Sequence, residues 1–202
     1  MKSEDSVKVM VQLINTIICG NLAKRRLIHY SEPFARLPGT MPGLGGLTMA
    51  HEMRRSDREI SSEEALGILR KAEYGVMSTA SQDRFPYGVP LNFCVIDNHI
   101  YFHSAAEGRK IDNIIDNPRV SFCVVGETCL LPAQFGTKYE SAIVFGTASE
   151  VFGQEKQKAL EGLLAKYSRN HYYEGLKYIQ AHFERTRVFK ISIETITGKS
   201  RK

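Results

Sequence analysis

The chain has 202 residues, 43% of them hydrophobic, which suits one domain of ordinary size with extra length and a substantial core. Its formal charge of +5 is uneven: residues 1–55 carry eight Lys/Arg against four Asp/Glu, leaving 19 against 18 in the remainder. A nearly neutral body argues against nucleic-acid binding, which needs a charge-rich face.

Val7–Cys19 is apolar, but Lys8, Gln12 and Asn15 interrupt it and it is too short to span a bilayer, so no membrane association is expected. Glu4 and Asp5 stand where a signal peptide carries basic residues. Ser31–Thr48, with three prolines and four glycines, is predicted to be loop or disorder. Residues 1–52 are therefore expected to be an N-terminal extension outside the domain, one that an internal start at Met49 or Met53 would remove. Cys19, Cys94, Cys123 and Cys129 form no CxxC and no zinc-like spacing with histidine. Reduced thiols, a cytoplasmic protein and no metal site follow as expectations.

The domain is predicted to begin near Met53 and to run to residue 202. Ser61-Ser62-Glu63-Glu64 is a capping box, with Ser61 and Glu64 satisfying each other's amides, and Ala65, Leu66, Ile68, Leu69 and Ala72 give the following helix one apolar stripe. Strands are predicted over Tyr74–Ala80, Pro86–Ile96 and His99–His103, the last two joined by a two-residue Asp97-Asn98 turn. Pro90 lacks a ladder donor, so it should mark an edge, a bulge or a place where a ligand nears the backbone.

Ile100–Asn117, IYFHSAAEGRKIDNIIDN, turns a strand into a short helix bearing Ile111, Ile114 and Ile115. The junction offers the Ser104 hydroxyl, Gly108, and Arg109 and Lys110 at a helix N-terminus, whose unpaired amides and partial positive charge suit a phosphate. His103 ends the strand beside it. The sequence contains neither a Walker loop nor GxGxxG.

Asn117-Pro118 stops that helix, and Arg119–Val125 reads as a strand. Residues 126–138 are expected to be irregular, followed by a long strand, Tyr139–Val151, bent at Gly146. Two helices, Gln154–Tyr167 and Tyr172–Phe183, precede a final strand over Arg187–Ile196. Six strands with few helices between them predict a mainly β fold with flanking helices, an antiparallel six-stranded barrel.

Taken in order, MRRSDREI (53–60), EYGVMST (73–79), PYGVPLNF (86–93), IYFHSAAEGRKIDNI (100–114), SAIVFGTASEV (141–151) and SIETITGK (192–199) resemble the FMN-binding split-barrel superfamily of pyridoxamine 5′-phosphate oxidase. Within it they are most similar to the 5-nitroimidazole-resistance family. The resemblance covers about three-quarters of the chain. It implies a split barrel, and a homodimer with FMN, or alternatively FAD, at the subunit interface. It puts Ser104, Arg109 and Lys110 on the flavin phosphate, Val89, Pro90, Leu91 and Asn92 along the ring, and Ser78 and Thr79 near the ribityl chain or phosphate. Tyr139 and Ser141 would line the pocket from the partner. His103 matches a histidine beside flavin and substrate, where an imidazole of ordinary pKa near ~6.5 could donate a proton.

The implied activity is two-electron reduction of a nitroaromatic such as a nitroimidazole, or of a similar small acceptor, with NADH or NADPH as the electron source. The alternative is a non-catalytic flavin or haem carrier. The chain ends GKSRK in place of the oxidase's contacts to pyridoxal phosphate, so vitamin synthesis is not implied.

Overall fold

The structure, a computed structural model, describes residues 53–81 and 83–202; the expectations for residues 1–52 lie outside them. Residues 53–202 form one compact unit. Its elements in chain order are β1 (Glu59–Ile60), α1 (Ser62–Lys71), β2 (Gly75–Ala80), β3 (Pro86–Leu91), β4 (Cys94–Ile96), β5 (His99–Ser104), α2 (Arg109–Asp116), β6 (Arg119–Leu131), β7 (Gly136–Glu150), α3 (Gly153–Tyr167), α4 (Tyr172–His182) and β8 (Arg187–Arg201).

The strands pair antiparallel in the order β3-β2-β6-β7-β8-β5-β4, with β1 added to β8. The two ends of that path, β3 and β4, are joined by only Asn92 and Phe93. A sheet whose outermost strands are two residues apart in sequence has to curl on itself, and the gap between β3 and β4 is the split in the barrel.

The mainly antiparallel barrel with flanking helices agrees with the sequence expectation, but the described residues form eight strands where six are predicted. One is the short β1. The other arises because Pro86–Ile96 is two strands: Phe93 turns fully into the core, and its amide donates to Tyr167 Oη at 2.9 Å, outside any strand ladder. Residues 126–138, expected to be irregular, mostly extend β6 and β7 into a long hairpin in which Leu131 faces Gly136 across a Pro132–Gln134 turn. Leu130 and Phe135 there are exposed, so no burial pattern betrays the pairing. The last strand also runs beyond Ile196, paired to β7 and β1; Thr195, Thr197 and Lys199 blur the alternation that would have shown it.

Local chemistry sets the rest. Ser61 Oγ accepts from the Glu64 amide at 3.2 Å while the Ser61 amide donates to Glu64 Oε2 at 2.9 Å, completing the predicted box at α1. Asp97 and Asn98 take φ of 49° and 60°, as a tight β4–β5 turn demands. At Gly146 the β7–β8 register shifts, and a Cβ there would meet the Ser192 carbonyl at 2.1 Å.

The barrel interior holds Leu69, Met77, Phe93, Ile100, Phe102, Ile111, Phe122, Val144, Phe189 and Ile191, each almost fully buried and worth roughly 1.5–3 kcal/mol. A second cluster, with Cys94, Tyr101, Leu160, Leu163, Ile179 and Val188, packs α3 and α4 on the outside of β5 and β8. Cys94, Cys123 and Cys129 are free thiols, and burial pushes Cys94 up to about 12. Ile111 and Ile114 of α2 face the core as predicted, but Ile115 is exposed and the buried Asn113 takes its place on that face.

Candidate flavin-binding corner

β5 delivers its residues to opposite sides of the sheet. Ile100, Phe102 and Ser104 follow the interior row; Tyr101 and His103 follow the outer one, with His103 paired to Val188 of the second cluster. Ser104 is 5% exposed, and its Oγ is enclosed with no hydrogen-bond partner among the described residues. A buried hydroxyl left so costs about 1–3 kcal/mol, which a ligand accepting its proton would recover.

The chain then passes through Gly108, at φ +133° and ψ 161°, a conformation essentially reserved for glycine. It caps α2 with no side-chain hydrogen bond. The helix's own ladder begins where the Ile111 and Asp112 amides reach the Gly108 carbonyl at 2.8 and 3.2 Å, so the amides ahead of them point out of its end. Lys110 is buried there, and the Arg109 guanidinium lies 5.0 Å from the Tyr87 ring and 6.0 Å from that of Phe85. Two cations in the first turn oppose the helix dipole, and an anion at the same end would reverse the sign of that interaction.

Burial, and secondarily Lys110, hold the His103 imidazole below its ordinary pKa. It is therefore a neutral hydrogen-bonding group at pH 7, which weakens the proton-donor role expected of it.

β2 and β3 form the neighbouring wall. Thr79 is buried; its hydroxyl accepts from Asn113 Nδ2 at 2.8 Å and donates to the Tyr87 carbonyl at 3.4 Å. Ser78 points outward and pairs with Gly88. Pro90 is exposed on what proves to be an edge strand, Val89 packs on the interior, and the Leu91 side chain is in the core, leaving only its backbone to a ligand. Asn92 is half-buried in the β3–β4 connection.

Tyr139 and Ser141 lie on the outward face of β7 with Ile143 and Phe145, a different surface from the α2 corner. Arg58 Nη1 donates to Tyr139 Oη at 3.4 Å and holds the phenol below its ordinary pKa. The structure thus gathers Ser104, Arg109 and Lys110 at one corner, sets β2–β3 beside it, and leaves Tyr139 and Ser141 elsewhere.

Sequence reasoning missed Asn113 and Asn117, since a polar residue in a short helix reads as solvated. The recurrence of Arg109, Asn113 and Asn117 at intervals of four was the available signal. Among the described residues no cluster of three His, Cys, Asp or Glu could hold a metal, and no helix is long and apolar enough to cross a membrane.

No curated protein matches the chain. Several solved structures share the fold. A candidate 5-nitroimidazole antibiotic resistance protein from Bacteroides thetaiotaomicron is 22% identical, covering 70% of this chain and 85% of its own, with a TM-score of 0.58. An FAD-binding protein from Mesorhizobium loti is 26% identical over 72% of this chain and 98% of its own, TM-score 0.52. The FAD and haem binding protein from Mycobacterium smegmatis is 16% identical over 72% and 74%, TM-score 0.63. The family model described as pyridoxamine 5′-phosphate oxidase matches residues 61–200, a span that takes in the whole corner, and the chain therefore belongs to that family of FMN-binding split barrels.

Proposed function

We propose that the protein is a flavin-dependent oxidoreductase that reduces a nitroaromatic or similar small acceptor, using FMN, or FAD in its place, bound where two copies of the chain meet. One observation carries the reading: the enclosed, unpartnered Ser104 hydroxyl beside an uncapped helix start bearing Arg109 and Lys110. A phosphate fits that set, since it accepts from the hydroxyl and from backbone amides and complements both cations. The acceptor is taken from the Bacteroides neighbour and its link to 5-nitroimidazoles.

Ser104, Arg109 and Lys110 would grip the phosphate. Val89, Pro90, Asn92 and the Leu91 backbone would border the ring, with Ser78 on the outer side of the same wall. A second copy would cover the outward apolar face, where Val76, Val125 and Ile143 are exposed, and bring its own Tyr139 and Ser141 to the pocket. A bound flavin supplies electron transfer to the acceptor. His103 presents a neutral imidazole N–H that would orient an acceptor oxygen by hydrogen bonding, with NADH or NADPH as donor.

The test uses flavin-loaded protein, a nicotinamide donor and a 5-nitroimidazole: the nitro absorbance should disappear with turnover, and an unchanged spectrum contradicts the activity. The neutral state of His103 also favours a second reading, a haem carrier, because neutral imidazole is the form that ligates iron. A Soret band in the purified protein in place of flavin bands would select it.

A further inference from the structure

We infer that Asn113 and Asn117 are positioning residues that fix the separation between the phosphate corner and the strand pair bordering the flavin ring. The inference rests on the flavin reading above.

Arg109, Asn113 and Asn117 are spaced four apart, so they form one stripe along α2 and its C-terminal cap. Each reaches the β2–β3 hairpin. Arg109 lies over the Tyr87 ring, Asn113 Nδ2 donates to Thr79 Oγ1 at 2.8 Å, and Asn117 Nδ2 donates to the Ala80 carbonyl at 3.2 Å. The link continues past β2, because the Thr79 hydroxyl in turn donates a hydrogen bond to the Tyr87 carbonyl of β3. At the far end Asn117 Oδ1 accepts from the Arg119 amide at 3.2 Å, which ties the cap to the start of β6.

Asn113 and Thr79 are 3% and 4% exposed, at a place where Ile111 and Ile114 show that apolar side chains fit the same helix face. A buried amide is costly unless paired, so an aliphatic contact would hold the helix with less to lose. What the amide adds is direction: aliphatic surfaces slide over one another, whereas a 2.8 Å hydrogen bond fixes register. FMN has its ring and phosphate at opposite ends of one ribityl chain. A protein gripping both ends needs that register held within about half an ångström, and this stripe joins the two grips.

The experiment compares FMN with riboflavin, which lacks the phosphate, by fluorescence titration of full-length protein, together with thermal midpoints. Asn113→Ala and Thr79→Val should each weaken FMN by about tenfold, the size of one buried hydrogen bond, and leave riboflavin within about twofold. Thr79→Ser keeps the hydroxyl and should retain the parent ratio. The double variant should lose no more than the worse single one, because both remove the same bond.

Loss of both ligands in equal proportion, an unchanged FMN-to-riboflavin ratio, or losses that multiply in the double variant overturn the inference, even if the midpoint falls. Should Asn113→Ala fail to fold, Thr79→Val and Asn117→Ala carry the same comparison. If the parent protein binds neither ligand, the flavin reading itself fails and takes this one with it.

Discussion

α1 and α2 begin in opposite ways. At α1, Ser61 and Glu64 close the end with reciprocal hydrogen bonds, and Glu63 and Glu64 complement its dipole. At α2 a glycine in a conformation reserved for glycine offers no side-chain cap, Arg109 and Lys110 enter the first turn ahead of its one acid, Asp112, and the neighbouring Ser104 hydroxyl is buried with no partner among the described residues. The same chain that solves the helix-end problem internally at one site leaves it open at the other. The difference is between a helix end closed by its own side chains and one left open, where a flavin phosphate is proposed to bind.

The largest way to break this comparison is to remove the two cations. Replacing Arg109 and Lys110 together with alanine should weaken FMN at least about 100-fold, since charge-assisted bonds to an anion contribute roughly 1.5–3 kcal/mol each. Riboflavin affinity should change little, and an FMN titration in which the double variant matches the parent would refute the assignment.

Gly108→Ala comes next. No atom of the described residues lies within 4 Å of the added Cβ, so the expected loss of about 1–3 kcal/mol in urea unfolding is conformational. A variant as stable as the parent would show that the turn is not held as described.

The matching change at the closed end, Ser61→Ala, should cost about 1 kcal/mol of stability and leave FMN affinity untouched. A loss of flavin binding there would erase the contrast.

The smallest effect concerns pH. His103 has a depressed folded pKa, so its unfolded form takes up a proton near ~6.5 while the folded one does not. Its contribution is therefore complete above that pH, declines as pH falls from there, and levels off below the folded pKa. His103→Gln should flatten this part of the stability profile, and an unchanged slope would mean the imidazole is not desolvated.

The parts of this molecule legible in sequence are those where local chemistry and burial agree. Ser61 and Glu64, Asp97 and Asn98, and Gly146 each announced their roles because one side chain or one backbone angle determines the outcome. The strand-to-helix turn between Ser104 and Arg109 was legible for the same reason. The break at Asn92–Phe93 was not, since a Tyr167 hydroxyl 74 residues away receives the Phe93 amide. Nor was the long β6–β7 hairpin, whose exposed Leu130 and Phe135 carry no alternation. The opposite facing of Ser104 and His103 on β5 was not drawn from the sequence either, although period two requires it.

The start of α2 is the proposed seat of the flavin phosphate. The most direct measurement is the affinity of the unmodified protein for FMN and for riboflavin under one set of conditions. A phosphate held there should give a yellow complex that favours FMN by at least about 100-fold, the yield of the two charged contacts. Equal affinities, or no uptake of either, would contradict it.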